Sequence, residues 1–132
     1  MEKLTKGSKG CEEFIVTERD CASAFRSGSL AVLATPVLIA SAEATCKDLV
    51  QPMLEEGMST VGTMVSIRHL APSPIGMKYR CECEITEVEG RMIRFSVILT
   101  DERERIGEGV HERVIINEER FLKKTQQKLA AE

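Results

Sequence analysis

From Ser59 to Ile116 the chain alternates apolar and polar residues in long runs, and few architectures can use such a pattern. The first run, "STVGTMVSIRHLA", is rich in β-branched residues. The two-residue period of a strand puts its Val61, Thr63, Val65, Ile67 and His69 on one face. The second, "MKYRCECEITEV", sends Tyr79, Cys81, Cys83 and Ile85 one way and Lys78, Arg80, Glu82, Glu84 and Thr86 the other. In "RMIRFSVILT" the apolar side is Ile93, Phe95, Val97 and Leu99, and "RIGEGVHERVII" is a further strand. "PSPIG", Glu89–Gly90 and "DERE" separate the runs, and the Glu-Gly pair suits a tight hairpin turn. Short turns between long strands predict antiparallel pairing with one face covered.

What covers that face stands just ahead of the strands. In "ATPVLIASAEATC", Thr35 is a good N-cap residue and Pro36 fits the first helical position, where a missing N–H costs nothing. The helix continues through "KDLVQ" and stops before Pro52 and Gly57. Apolar residues cover most of its circumference, and Ala40, Ser41, Ala42 and Ala44 allow other backbone to approach closely. A helix enclosed on several sides is predicted. Upstream, "EEFIVT" predicts one more strand, "ERDCASAFRSGSLAVLA" a helical turn and a loop, and Met1–Gly10 a loose tail. "NEERFLKKTQQKLAAE" ends the chain as a charged helix or tail. The expected fold is α+β, an antiparallel sheet curled around one central helix, with residues 1–132 as a single domain. A lone curled sheet leaves open edges and an uncovered part of the helix. Edge-to-edge pairing of two protomers remedies both, so a homodimer is expected, and stacking into tetramers is left open.

Composition sets the class. A chain of 132 residues with 42% hydrophobic and 30% charged residues suits one domain with a modest core. The net charge of −3 gives no reason to expect nucleic acid or an anionic membrane as partner. No apolar run reaches the length of a bilayer span, and "MEKLTKGSKG" lacks the apolar core of a secretory signal, so a cytoplasmic location is expected. The 5 cysteines are odd in number, and Cys81 and Cys83 form neither a C-x-x-C pair nor a zinc knuckle. They are expected to be reduced and to pack as small apolar groups. With 2 histidines and no dense ligand cluster, no bound metal is expected.

Glu43, Thr35 and His69 stand out as candidates for chemistry. Glu43 is the one charge within "ATPVLIASAEATC". An ionised carboxylate in apolar surroundings is costly unless hydrogen-bonded or paired, and burial suits a carboxyl group to general-base work. The alternative is an outward-facing Glu43, or a pair with Lys47 one turn on. His69 follows β-branched residues on one strand face, where a core or interface role competes with catalysis. Thr35 stands at a helix N-terminus, whose partial positive charge and free N–H groups suit a polarised carbonyl. Thr35 and Glu43 are eight residues apart, about 80° around a helix axis, so both can border one cleft. His111, with Gly107 and Gly109 before it in "RIGEGVHERVII", reads as structural or interfacial.

Together, "ATPVLIASAEATC", "STVGTMVSIRHLAPSPIGM", "VEGR" and "IGEGVHERVII" resemble the fluoroacetyl-CoA-thioesterase-like family of hotdog-fold proteins, over about Glu12 to Lys123. The resemblance implies hydrolysis of an acyl-CoA thioester, with Thr35, Glu43 and His69 as the catalytic residues at a dimer cleft. It places the backbone N–H of Gly62 by the acyl group. It implies no cofactor, coenzyme A arriving as part of the substrate. Glu43 would attack the thioester carbon or activate a water, His69 would steady the developing charge, and Thr35 would position its partners or take part in acyl transfer. Arg68, Lys78 and Arg94 are candidates for the coenzyme's phosphates. The family's specialised members use phenylalanines ahead of the helix as a lid. Here "FRSGSLAVLAT" offers only Phe25, which points to a broader or different short-to-medium acyl group.

The competing reading is a non-catalytic acyl-CoA or small-ligand binding module on the same fold. A dehydratase reading is weaker: the His and Asp near one helix start expected there are absent, and only Asp48 lies nearby, late in the helix.

Overall fold

A computed structural model describes residues 4–130 of the chain. Strands β1 (Lys9–Ile15), β2 (Met58–His69), β3 (Lys78–Glu89), β4 (Met92–Asp101) and β5 (Arg105–Asn117) form one antiparallel sheet in the order β1-β3-β4-β5-β2. The sheet curls around helix α1 (Thr35–Val50), as expected of a hotdog fold. Helix α2 (Glu118–Ala130) leaves the end of β5 and buries no residue. No helix among the described residues is long and apolar enough to cross a membrane.

The core is a single layer between α1 and the sheet. Leu38, Ala42, Cys46 and Val50 recur every fourth residue, which lines them up on one face of α1, and all are fully buried. They pack on Cys81, Ile85, Ile93, Phe95, Val97 and Leu99, the alternate residues of β3 and β4. Each such large apolar side chain contributes about 1.5–3 kcal/mol relative to exposure. The cysteines are free thiols, and four of them are buried as small apolar groups. Ser41 is satisfied in this layer, donating to the Val37 carbonyl at 2.9 Å and meeting the Tyr79 hydroxyl at 2.7 Å.

Three expectations need correction. The helix is enclosed on one side only: Pro36, Ala40 and Lys47 are exposed, and Ile39, Glu43 and Ala44 are half-buried. One curled sheet is too narrow to wrap the full circumference, and the open face is built of small apolar residues around one acid. The expected loose tail is held from Leu4 onward, which packs against the core. Gly7 N–H donates to the Ile85 carbonyl at 2.8 Å, and Lys9 and Gly10 pair with Glu84 and Cys83. Met1 to Lys3 of that tail lie outside the described residues. Finally, β2 does not keep one alternation. Gly62 pairs with Arg113 and Met64 with Glu112, so Thr63 is an extra residue, a β-bulge. The bulge reverses the phase. Gly62, Val65, Ile67 and His69 share the helix-side face, and Val61 and Thr63 do not.

Loop contacts bring the start of α1 to the end of β2. Ala22 N–H donates to the Val32 carbonyl at 2.7 Å, and Leu33 N–H to the Ser73 carbonyl at 2.9 Å. The buried Ser73 hydroxyl donates to Asp101 at 2.7 Å. The segment before α1 and the segment after β2 are thereby fastened to each other and to β4.

Gly109 of β5 lies where β2 crosses most closely. A Cβ there would collide with the Ser66 carbonyl and stand 2.7 Å from the Ile67 Cα. Gly109→Ala is expected to cost about 1–3 kcal/mol and lower the thermal midpoint by several degrees, because backbone rather than a flexible side chain must yield. An unchanged midpoint in thermal unfolding would contradict this packing.

Candidate active site

Two polar clusters lie along α1. The first is at its start. Thr35 is the first helical residue rather than the N-cap, a position that Ala34 takes without a side-chain bond. The Thr35 hydroxyl is thus not spent on capping and lies 2.8 Å from Nδ1 of His69, the last residue of β2. The His69 Nε2 atom is buried with no hydrogen-bond partner among the described residues. Burial pushes the imidazole below its ordinary pKa, opposed in part by the Ala71 backbone. A neutral ring is therefore held against a hydroxyl, which suits it to take a proton or to orient its neighbour. Both residues border a cleft of about 310 Å³.

The second cluster surrounds Glu43. Its carboxylate is not enclosed: the side chain is 42% exposed, and Oε2 lies 4.0 Å from Nη1 of Arg113. Arg113 is itself buried on β5. Its Nε donates to the Thr60 hydroxyl at 2.8 Å, its Nη2 to the Thr60 carbonyl at 3.0 Å, and its Nη1 to Nε2 of His111 at 3.1 Å. Because a guanidinium only donates, Nε2 of His111 must accept, and the ring proton sits on Nδ1, 2.8 Å from the Met64 carbonyl. Burial first, and the Arg113 charge with it, push the His111 imidazole below its usual pKa. Gly62 completes the cluster. A Cβ on it would stand 2.8 Å from Glu43 Oε2 and 3.3 Å from the His111 ring, so only glycine leaves room for the carboxylate.

The structure therefore brings Thr35 to His69 and Glu43 to Gly62, as two groups. No hydrogen bond or ion pair joins Glu43 to His69 among the described residues. Eight residues of helix rise about 12 Å, which is the separation along the axis between Thr35 and Glu43. The imidazole beside Glu43 in the same chain is that of His111. Of the candidate phosphate ligands, Arg94 is paired with Glu112 at 3.2 Å, whereas Arg68 and Lys78 are exposed. Arg113 and Thr60 went unnoticed in the sequence. Their signal was faint: Arg113 is two residues beyond His111, so strand alternation puts a guanidinium on the inward face.

A curled five-stranded sheet with one central helix, and polar residues at the helix start and on its open face, defines a hotdog protein of the thioesterase kind. The sequence profile of the FlK family, described as fluoroacetyl-CoA-specific thioesterase, matches residues 16–119, and the chain belongs to that family. It is 35% identical over 100 residues to the fluoroacetyl-CoA thioesterase of Streptantibioticus cattleyicolor, covering 76% of this chain and 72% of that protein. The crystal structure of a point mutant of the fluoroacetyl-CoA-specific thioesterase FlK superposes with a TM-score of 0.92 at 28% identity, over 97% of this chain and 99% of that one. A Thermus thermophilus hypothetical protein, described as a thioesterase superfamily member, superposes with a TM-score of 0.89 at 27% identity over 100% of both chains.

Two measurements check this geometry. In an NMR titration both histidine rings should change protonation below pH 6.5, the ordinary histidine value, because burial disfavours their cations. A midpoint at or above that value would contradict their burial. Gly62→Ala should leave the thermal midpoint within a few degrees, since the flexible Glu43 side chain can swing aside. Any function that relies on the Glu43 carboxylate should meanwhile fall by about tenfold or more.

Proposed function

We propose that the protein hydrolyses acyl-CoA thioesters to the free acid and coenzyme A at a cleft between two protomers. Thr35, Glu43 and His69 are its catalytic residues, and the Gly62 backbone N–H is the donor to the thioester carbonyl. The observation that carries this reading is the edge strand β2. It spans 12 residues, has β5 on one side and no partner on the other among the described residues, and carries Gly62 nearer one end and His69 at the other. A long unpaired edge is a template for a second strand. In the proposed dimer a two-fold axis placed at Ser66 would pair Ile67 with the partner subunit's Val65 and Arg68 with the partner subunit's Met64. With Thr63 outside the ladder, as it is against β5, His69 then faces the partner subunit's Gly62. Both lie on the helix-side face, as paired residues must. Each Thr35–His69 pair thus meets the partner's Glu43 and Gly62, and the open faces of the two α1 helices are covered in the same step.

The chemistry follows from the groups assembled. The thioester carbonyl oxygen takes the Gly62 N–H, with His69 beside it as charge develops. Glu43, turned toward the substrate by Arg113, acts on the thioester carbon directly or through a water that it deprotonates. On the water route, collapse of the tetrahedral intermediate breaks the carbon–sulfur bond and frees the acid, and the proton that Glu43 took from the water passes to the thiolate as coenzyme A departs. On the direct route, collapse leaves the acyl group as an anhydride on Glu43, and a water then hydrolyses it to the free acid, restores the carboxylate and supplies the thiolate's proton. Thr35 holds the imidazole through the hydrogen bond to Nδ1. The reading needs no metal and no further cofactor. Its support from relatives is direct: mutants of the fluoroacetyl-CoA thioesterase FlK are described in complex with fluoroacetate and CoA and with acetyl-CoA.

Thiol release from a panel of acyl-CoA esters tests the proposal. Glu43→Ala and His69→Ala should each lower kcat/KM by about 10²–10⁴-fold with little change in folding stability. Because burial lowers the His69 pKa from its ordinary value, the acid limb of the rate profile should begin below pH 6.5. Tight binding of acyl-CoA with no thiol release would instead assign a binding module.

A further inference from the structure

Beyond Thr35 and His69 the cleft of about 310 Å³ continues between the segment that leads into α1 and the segment that follows β2. Its walls are Ala22, Val32, Leu33, Leu70, Ala71 and Pro72, with Ser27 at its exposed side. No charged side chain lines it. These walls are fixed in place by backbone hydrogen bonds from Ala22 to Val32 and from Leu33 to Ser73. The cleft is thus shaped by the fold and open to solvent, mostly apolar in its side chains, with Ser27 on its exposed side and the hydroxyl and imidazole of the proposed site at one end.

A cleft with mostly apolar walls and no charged side chain rewards contact with hydrocarbon and penalises charge, which would lose hydration there without a partner. The coenzyme's phosphates and an acyl group ending in a carboxylate are both unsuited to it. The volume equals roughly ten water-sized groups, so a two-carbon acyl group would fill only a small part. From this, and resting on the hydrolytic reading above, we infer that the acyl group is an uncharged, unbranched aliphatic chain of about six to eight carbons laid along this cleft. Thr35 and His69 stand at its carbonyl end, and Ser27 stands beside its path.

The test uses the full chain and a series of straight saturated acyl-CoA esters from acetyl to dodecanoyl, with succinyl-CoA as the charged comparator. Thiol release is followed for each. The expected kcat/KM rises about threefold to fourfold per methylene, is greatest at about six to eight carbons and falls beyond. Succinyl-CoA should be at least about tenfold poorer than butyryl-CoA. Ser27→Phe, a change at an exposed position, and Ala22→Leu should each cut octanoyl-CoA turnover by about tenfold and leave acetyl-CoA within about twofold. A flat or falling series overturns the inference. So does an equal loss on every ester in both variants, which would mean that the cleft holds the coenzyme's arm. Should no ester release thiol, the hydrolytic reading fails, and calorimetry still decides the cleft. Octanoyl-CoA binding more tightly than acetyl-CoA, with the advantage lost in Ser27→Phe, supports it; equal affinities overturn it.

Discussion

A guanidinium cannot leave water cheaply, and Arg113 is 7% exposed in the middle of the molecule. Its surroundings are arranged to meet that demand. Thr60 supplies two acceptors, and His111 supplies a third by keeping its own proton on the far nitrogen for the Met64 carbonyl. Thr60 and Met64 lie on either side of the bulge at Thr63, so one buried cation is tied to both of its flanks. The bulge in turn rotates Gly62 to the helix-side face, where it leaves space for Glu43. Glu43 then has the guanidinium as its ionic neighbour while staying open to a ligand. Strand geometry, tautomer and carboxylate position thus share one electrostatic cause.

The same chain leaves its other polar pair at a distance. Thr35 and His69 are brought together by the fastening of the loops at Leu33 and Ser73, independently of Arg113. The two clusters occupy opposite ends of the inward face of β2, and β2 is an edge. In the proposed dimer, this sheet edge with its ladder groups unpaired and the neighbouring helix face of small apolar residues together form half of the interface. In the proposed pairing, the bulge also matters for register. Were Thr63 a regular member of the ladder, Gly62 and His69 would point to opposite faces and no in-register pairing could set them across from each other.

Much of this was legible in the sequence. The antiparallel strands of residues 59–116, the proline-marked start of α1 and the identity of the curled fold follow from period-two alternation and helix-start chemistry. Membership of the FlK family follows from the motifs around Thr35, Glu43 and His69. What escaped was whatever depends on a local break or on a contact distant in sequence. Periodicity assigned Thr63 to the inner face because a bulge leaves no mark in composition. Small apolar residues around Glu43 suggested a helix enclosed on several sides, since such residues mark close packing without fixing how far around the helix it extends. Thr35 read as a cap because its hydroxyl's true partner, His69, lies thirty-four residues away. Arg113 was overlooked because a single arginine in a strand reads as a surface residue until its hydrogen bonds are seen.

Whether the working site is shared between protomers is decided most directly by mixing two inactive variants. Glu43→Ala and His69→Ala proteins are combined, allowed to exchange subunits, and assayed for thiol release from an acyl-CoA ester. A shared site predicts recovery to roughly one quarter of wild-type activity, because half of the dimers are mixed and each mixed dimer holds one intact site. No recovery after demonstrated subunit exchange would contradict the account.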